Sequence, residues 1–180
     1  IQHYSHNKLT VVIVSAMAKV TDTLLDTMDL AVAGERSQVE SHLENLLRRH
    51  LDAASELLSG ESLERTQAEI KTLVDNFTRI IRGMEMLREH PQRSVDEAAA
   101  TGEKLCALLV CATMVERGAS SEVMDGSHLI VTDAIHGNAS PMMTETTQKC
   151  SRTFSAVFRD GITAIVTGYN GATVDGVPTT

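Results

Sequence analysis

Glu103 is the residue whose surroundings most suggest chemistry. It follows Gly102 inside an apolar helical pattern running over 94–118, "SVDEAAATGEKLCALLVCATMVERG", where a glycine costs about 1 kcal/mol against alanine. Such a cost invites a reason. Close approach of a backbone or a ligand is one, and Glu103 would present a carboxylate at that place; a solvated helix glutamate has the same spacing. Two apolar runs point to a second ingredient. "VVIV" (11–14) stops on Ser15, and Ile162–Val166 ends in Thr167 and Gly168. Open α/β sheets bind ligands beyond the carboxyl ends of their strands. Buried strands that end in small hydroxyl residues and tight turns therefore predict a site along that edge.

Other chemistries find little support. Cys106, Cys111 and Cys150 match no zinc spacing and read as buried reduced thiols. The seven histidines form no H-x-x-x-H or H-E-x-x-H pattern, and His42 and His50 fall beside the apolar stripe of one helix as packing residues. Asp125, Asp133 and Asp175 lie at strand ends or in turns, where aspartate is common for local reasons. A formal charge of −8, with no Lys/Arg cluster and almost no aromatic residues, disfavours nucleic acid. The apolar stretches are far short of the roughly 20 residues of a membrane span, and no basic-then-apolar signal opens the sequence. These features predict a soluble, cytoplasmic protein without a membrane partner.

The elements that must position Glu103 and the hydroxyls follow from periodicity. "TVVIVSA" (10–16) is a β-branched run suited to a strand covered on both faces of a parallel sheet. A helix follows, capped by Thr21 or Asp22 and stopped at Gly34. Apolar spacing over 37–58 and 62–89 predicts two helices packed as an antiparallel hairpin. Ser94 and Glu97 have capping-box spacing at the head of the next helix, which ends at Gly118. Strand signals at 121–125, 128–133 and 162–180 surround a helix across about 144–158. With 180 residues, 42% of them hydrophobic, one α/β domain carrying an early helical insertion is expected.

Four blocks in one order resemble the aspartokinases of the amino-acid kinase family: "VVIVSAMAKVTDTLL", "ATGEKL", "LIVTDAIHGNASP" and, most specifically, "IVTGYNGATVDGVPTT". The helical insert at about 37–90 resembles that of the same family. The resemblance implies a three-layer α/β/α sandwich around a mainly parallel sheet. It also implies transfer of the γ-phosphoryl group of ATP, with Mg²⁺, to the β-carboxylate of L-aspartate, at the start of lysine, threonine and methionine synthesis. By position, Ser15 and Thr21 would line the amino-acid pocket, Glu103 would hold the substrate ammonium, and Thr167, Gly168 and Tyr169 would close the pocket. Thr179 and Thr180 would lead toward the nucleotide. Tyr169 stands where the family usually has Phe and reads as wall; His136 and Asn138 match only loosely, as turn formers.

Chemistry agrees with those roles. A dicarboxylate carrying one ammonium needs a carboxylate partner together with hydroxyls and amides. Phosphoryl transfer rests on positioning and charge neutralisation, so no Ser-His-Asp or Cys-His arrangement is needed. The family's Lys-Phe-Gly-Gly strand and Gly-Arg-Gly-Gly-Ser-Asp segment do not occur in the sequence. The resemblance therefore reads as one partial kinase domain, 1–180, the substrate-binding lobe, without activity alone. An unpaired sheet edge would favour self-association. Two alternatives stand beside it: a kinase for acetylglutamate, glutamate, carbamate or a nucleotide monophosphate, and a non-catalytic binding module.

Overall fold

A computed structural model describes residues 10–180. The centre of the fold is β4 (Thr163–Thr167), every residue of which is buried. It pairs in parallel with β1 (Val11–Val14) on one side and with β2 (Ser121–Met124) on the other. Alternation along β4 builds the layers. Ile165 packs with Ala107 and Met114 of α5 (Thr101–Glu116), whereas Ala164 and Val166 pack with Val157 of α6 (Met143–Arg159). Helix, sheet and helix thus form the three-layer α/β/α arrangement that the resemblance implies. A smaller sheet adds β3 (Val131–Thr132), parallel to β5 (Gly171–Thr173), which pairs antiparallel with β6 (Pro178–Thr179).

The largest core lies among helices. α1 (Val20–Ala33), α2 (Arg36–Leu57) and α3 (Gly60–Leu87) bring together Leu24, Met28, Leu43, Phe77 and Ile81. The expected antiparallel pair is α2 and α3, and an ion pair between Arg82 and Glu40 ties them. His50 packs here as expected; burial lowers its pKa below the ordinary histidine value, and its Nδ1 lies 2.8 Å from the Leu46 carbonyl. His42 instead meets the Thr27 hydroxyl at 3.1 Å. The cysteines are free and half-buried, their thiol pKa values raised by burial, with Cys150 on α6.

Five local expectations need correction. β1 is an edge of its sheet among the described residues, not a strand covered on both faces, and Ile13 is 62% exposed. The β-branched composition marked a parallel strand correctly; the doubly covered strand is β4. Neither Thr21 nor Asp22 caps α1. A tight reversal after Ser15 places Lys19 in the left-handed region at φ 63°, Val20 opens the helix, and Thr21 lies in its first turn. Gly34, at φ 82°, does stop it. Ser94 and Glu97 form no capping box: Pro91 precedes the helix, its carbonyl accepts from the Ser94 and Val95 amides, and no side chain caps it. The predicted single helix is two, α4 (Gln92–Ala99) and α5, meeting at Ala100. Finally, only Val131 and Thr132 of 128–133 are strand, and His128 closes a single helical turn over 126–128.

Candidate functional site

Glu103 reaches its place because α5 starts against the β1–α1 reversal. A Cβ on Gly102 would stand 2.9 Å from Ala16 Cβ, 3.1 Å from Val20 Cγ1 and 3.2 Å from Leu24 Cδ1. The glycine therefore permits close helix packing, and the next residue is delivered to the carboxyl edge of the sheet. There Glu103 is only 6% exposed. Its Oε2 accepts the Tyr169 amide at 2.9 Å, and the Gly168 amide also donates to the carboxylate. Burial raises its pKa above the ordinary glutamate value. The two amides oppose that shift and the negative Asp125 adds to it.

A cavity of about 420 Å³ opens beside this carboxylate, lined also by Ser15, Thr21, Asp96, Tyr169 and Thr180. Ser15 and Thr21 are exposed there. Tyr169, 74% exposed, contributes to the rim. The end of β1, the first turn of α1, helix α5, the turn after β4 and the residue after β6 thus bring Ser15, Thr21, Glu103, Tyr169 and Thr180 to one space. Gly168 acts through its amide and packs against the end of β1, where an added Cβ would lie 3.0 Å from the Val14 carbonyl oxygen.

Besides Gly168, two further expected residues do not line this cavity. The buried Thr167 hydroxyl donates to Asn170 and accepts from the Gly126 amide, and the residue faces a neighbouring cavity of about 320 Å³ with Leu73, Lys104 and Val123. Thr179 is fully buried, its hydroxyl 2.7 Å from that of Thr132.

Sequence reasoning missed Asp96. Its buried carboxylate accepts from the Gly137 amide, 3.0 Å away, and from the Thr180 hydroxyl, and lies 2.8 Å from His136 Nδ1. His136 is therefore more than a turn former, because with Gly137 it ties the 133–140 loop to α4. The signal was available: Asp96 is an acid between Val95 and Ala98–Ala100, on a face that must be buried. Asp125 likewise exceeds a turn role. It pairs with Lys104 at 2.9 Å and accepts from Asn170 and Ser127. Burial alone would raise its pKa, but the Lys104 ammonium and the Ser127 hydrogen bonds outweigh that and hold it at about 2.

Among the described residues no three His, Cys, Asp or Glu side chains are grouped to hold a metal ion. The cavity instead offers the Glu103 carboxylate, which pairs with no cation among the described residues and is flanked by hydroxyls. Such a set complements a small cationic group.

No family model matches the chain. It is 28% identical over 170 residues to the chloroplastic bifunctional aspartokinase/homoserine dehydrogenase 2 of Zea mays, covering 94% of this chain and 18% of that one. It is 25% identical over 144 residues to the aspartokinase of Saccharomyces cerevisiae, covering 74% of this chain and 27% of that one. The chain therefore spans less than a third of either relative. Among solved structures, E. coli aspartokinase III in complex with aspartate and ADP superposes with a TM-score of 0.86 at 20% identity, over 95% of this chain and 36% of that one. The same enzyme with lysine and aspartate gives 0.87, also at 20% identity, over 98% and 38%. By sequence along 94% of its length and by fold along 95%, the chain is an aspartokinase-like segment, corresponding to part of each of these longer proteins.

Proposed function

We propose that these residues form the amino-acid-binding lobe of an aspartate kinase, which transfers the γ-phosphoryl group of ATP to the β-carboxylate of L-aspartate. The observation that carries this reading is Glu103: a carboxylate 6% exposed, aimed at a cavity and paired with no cation among the described residues. A substrate ammonium arriving there would supply the missing positive charge and offset the cost of burying the carboxylate. The exposed Ser15 and Thr21 hydroxyls are placed to donate to an acidic end of the same ligand. The E. coli structures named above contain aspartate, which agrees with that ligand.

The described residues that line the cavity bind and orient; they include no lysine or arginine to neutralise a phosphoryl group there. No grouped carboxylates fit Mg²⁺ among the described residues, so ATP and Mg²⁺ are assigned to the parent enzyme and to no residue here. Thr180 lines the cavity while bonded to Asp96, so its hydroxyl is a wall of the amino-acid pocket before it is a route to nucleotide. On this reading the chain alone binds substrate without turning it over, and the parent works in the cytoplasm as an assembly of like subunits.

Calorimetric titration of the chain with L-aspartate, with L-glutamate as control, tests the proposal. Selective aspartate binding that disappears in Glu103→Ala is the expected result. Equal binding of both amino acids, or aspartate binding untouched by Glu103→Ala, would overturn it.

A further inference from the structure

The turn that grips Glu103 is wired by a network that runs from the end of β4 to the turn after β2, and Asn170 within it also lines the cavity. Thr167, which ends β4, donates its hydroxyl to Asn170 Oδ1 at 2.6 Å and accepts the Gly126 amide at 2.7 Å. Asn170, itself buried, donates its Nδ2 to Asp125 Oδ1 at 2.6 Å. Asp125 in turn accepts the Ser127 amide at 3.0 Å and holds Lys104 Nζ at 2.9 Å. Lys104 is the residue after Glu103, so the series of contacts leaves α5 and returns to it. Glu103 meets the backbone of Gly168 and Tyr169 on one side, and Lys104 meets the network that fixes their turn on the other.

Packing closes the same ring independently of the hydrogen bonds. A Cβ on Gly126 would lie 2.6 Å from the Asn170 carbonyl oxygen, 2.7 Å from Asn170 Oδ1 and 2.7 Å from the Thr167 carbonyl oxygen. The turn after β2 thus sits directly on Asn170, and only glycine permits the approach. With its side chain satisfied at both ends, Asn170 fixes where the preceding two amides point.

We infer that Asn170 is a positioning residue: by bridging Thr167 and Asp125 it holds the Gly168 and Tyr169 amides on Glu103, and so orients that carboxylate in the cavity. The inference deepens the aspartate-binding reading, on which its ligand measurement alone depends. The charged and titratable groups around Glu103 are Asp125 across the turn, Cys106 on its own helix and Asp96 from α4 on the cavity wall, with Lys104 beside it and paired to Asp125.

The test is a ¹³C-carboxyl titration by NMR of the full chain carrying labelled glutamate, with the Glu103 signal assigned by its loss in Glu103→Gln. Asn170→Ala and Thr167→Val each break the bridge; the second keeps nearly the side-chain shape and serves if the first does not fold. In the variants the Glu103 midpoint is expected to move to higher pH, because burial persists while the amides that favour the charged form are loosened. L-Aspartate affinity should fall about tenfold, equivalent to about 1.4 kcal/mol. An unchanged Glu103 midpoint in the folded variants, with only thermal stability lowered, overturns the inference. A shifted midpoint in a protein that binds no aspartate in any form sustains the positioning role and instead removes the substrate reading.

Discussion

At the scale of single residues, the site keeps a charge that the empty fold does not favour. Because the Glu103 pKa is raised in the folded chain, its contribution to stability is fully present below the ordinary glutamate value and is lost as pH rises through the raised one. Glu103→Gln should therefore match the parent chain in thermal stability near pH 4 and exceed it at pH 7. Aspartate binding should weaken by about 1.5–3 kcal/mol, the worth of a charged hydrogen bond. Melting curves across pH, paired with calorimetry, check both halves; a variant less stable at pH 7 would show that the carboxylate supports the fold. Asp125 has the opposite sign. Its pKa is held at about 2, so its contribution is present above the ordinary aspartate value and is lost as pH falls toward 2. The shift corresponds to about 2 kcal/mol. Urea unfolding of Asp125→Asn should show a deficit of that size at pH 6 that closes near pH 2, and a deficit independent of pH would refute the pairing with Lys104.

At the scale of elements, the crossing of α5 with the β1–α1 reversal decides where the carboxylate sits. Gly102→Ala gains about 1 kcal/mol in helix propensity, but its methyl meets Ala16, Val20 and Leu24 at 2.9–3.2 Å. Overpacking of this kind costs about 1–3 kcal/mol. The net expectation is a lower denaturation midpoint together with weaker aspartate binding, because relief of the clash moves Glu103. Higher stability with unchanged binding would mean that the crossing is slack. This junction also shows how far the sequence could be read. Gly102 beside Glu103 was visible because a glycine in a helix breaks a local rule. The start of α1 was not, because the left-handed Lys19 is imposed by the reversal of the chain and carries no propensity signal. The break at Ala100 was hidden for a similar reason: the run Ala98–Ala100 favours a continuous helix, and only tertiary packing separates α4 from α5. The strand edges were legible as apolar runs. Which run lay at the centre was not, because Val11–Val14 and Thr163–Thr167 are both short runs rich in β-branched residues, and their places are set by their neighbours.

At the scale of the molecule, site and core share β4. Its Ile165 is fully buried against α5, and its last residue anchors the turn that holds Glu103. Ile165→Ala should cost about 2–5 kcal/mol. In hydrogen exchange the β4 amides should open only with global unfolding, and exchange of β4 well before α5 would contradict its central place. The chain-wide network around Asp96 and Asn170 could not be read in advance, since each joins residues more than 35 positions apart through single side-chain contacts. The register of β4 also has a kinetic side. Val11 pairs with Ala164 and Ser121 with Thr163, so both flanking strands precede the strand that joins them. On a ribosome, α1, α2 and α3 can pack as soon as they emerge, while β1 and β2 wait with open edges for the last fifth of these residues. Closing a loop of that length is slow relative to local helix formation. The helical layer is therefore the early scaffold of these residues, and the cavity beside Glu103 takes shape only after β4 has joined β1 and β2.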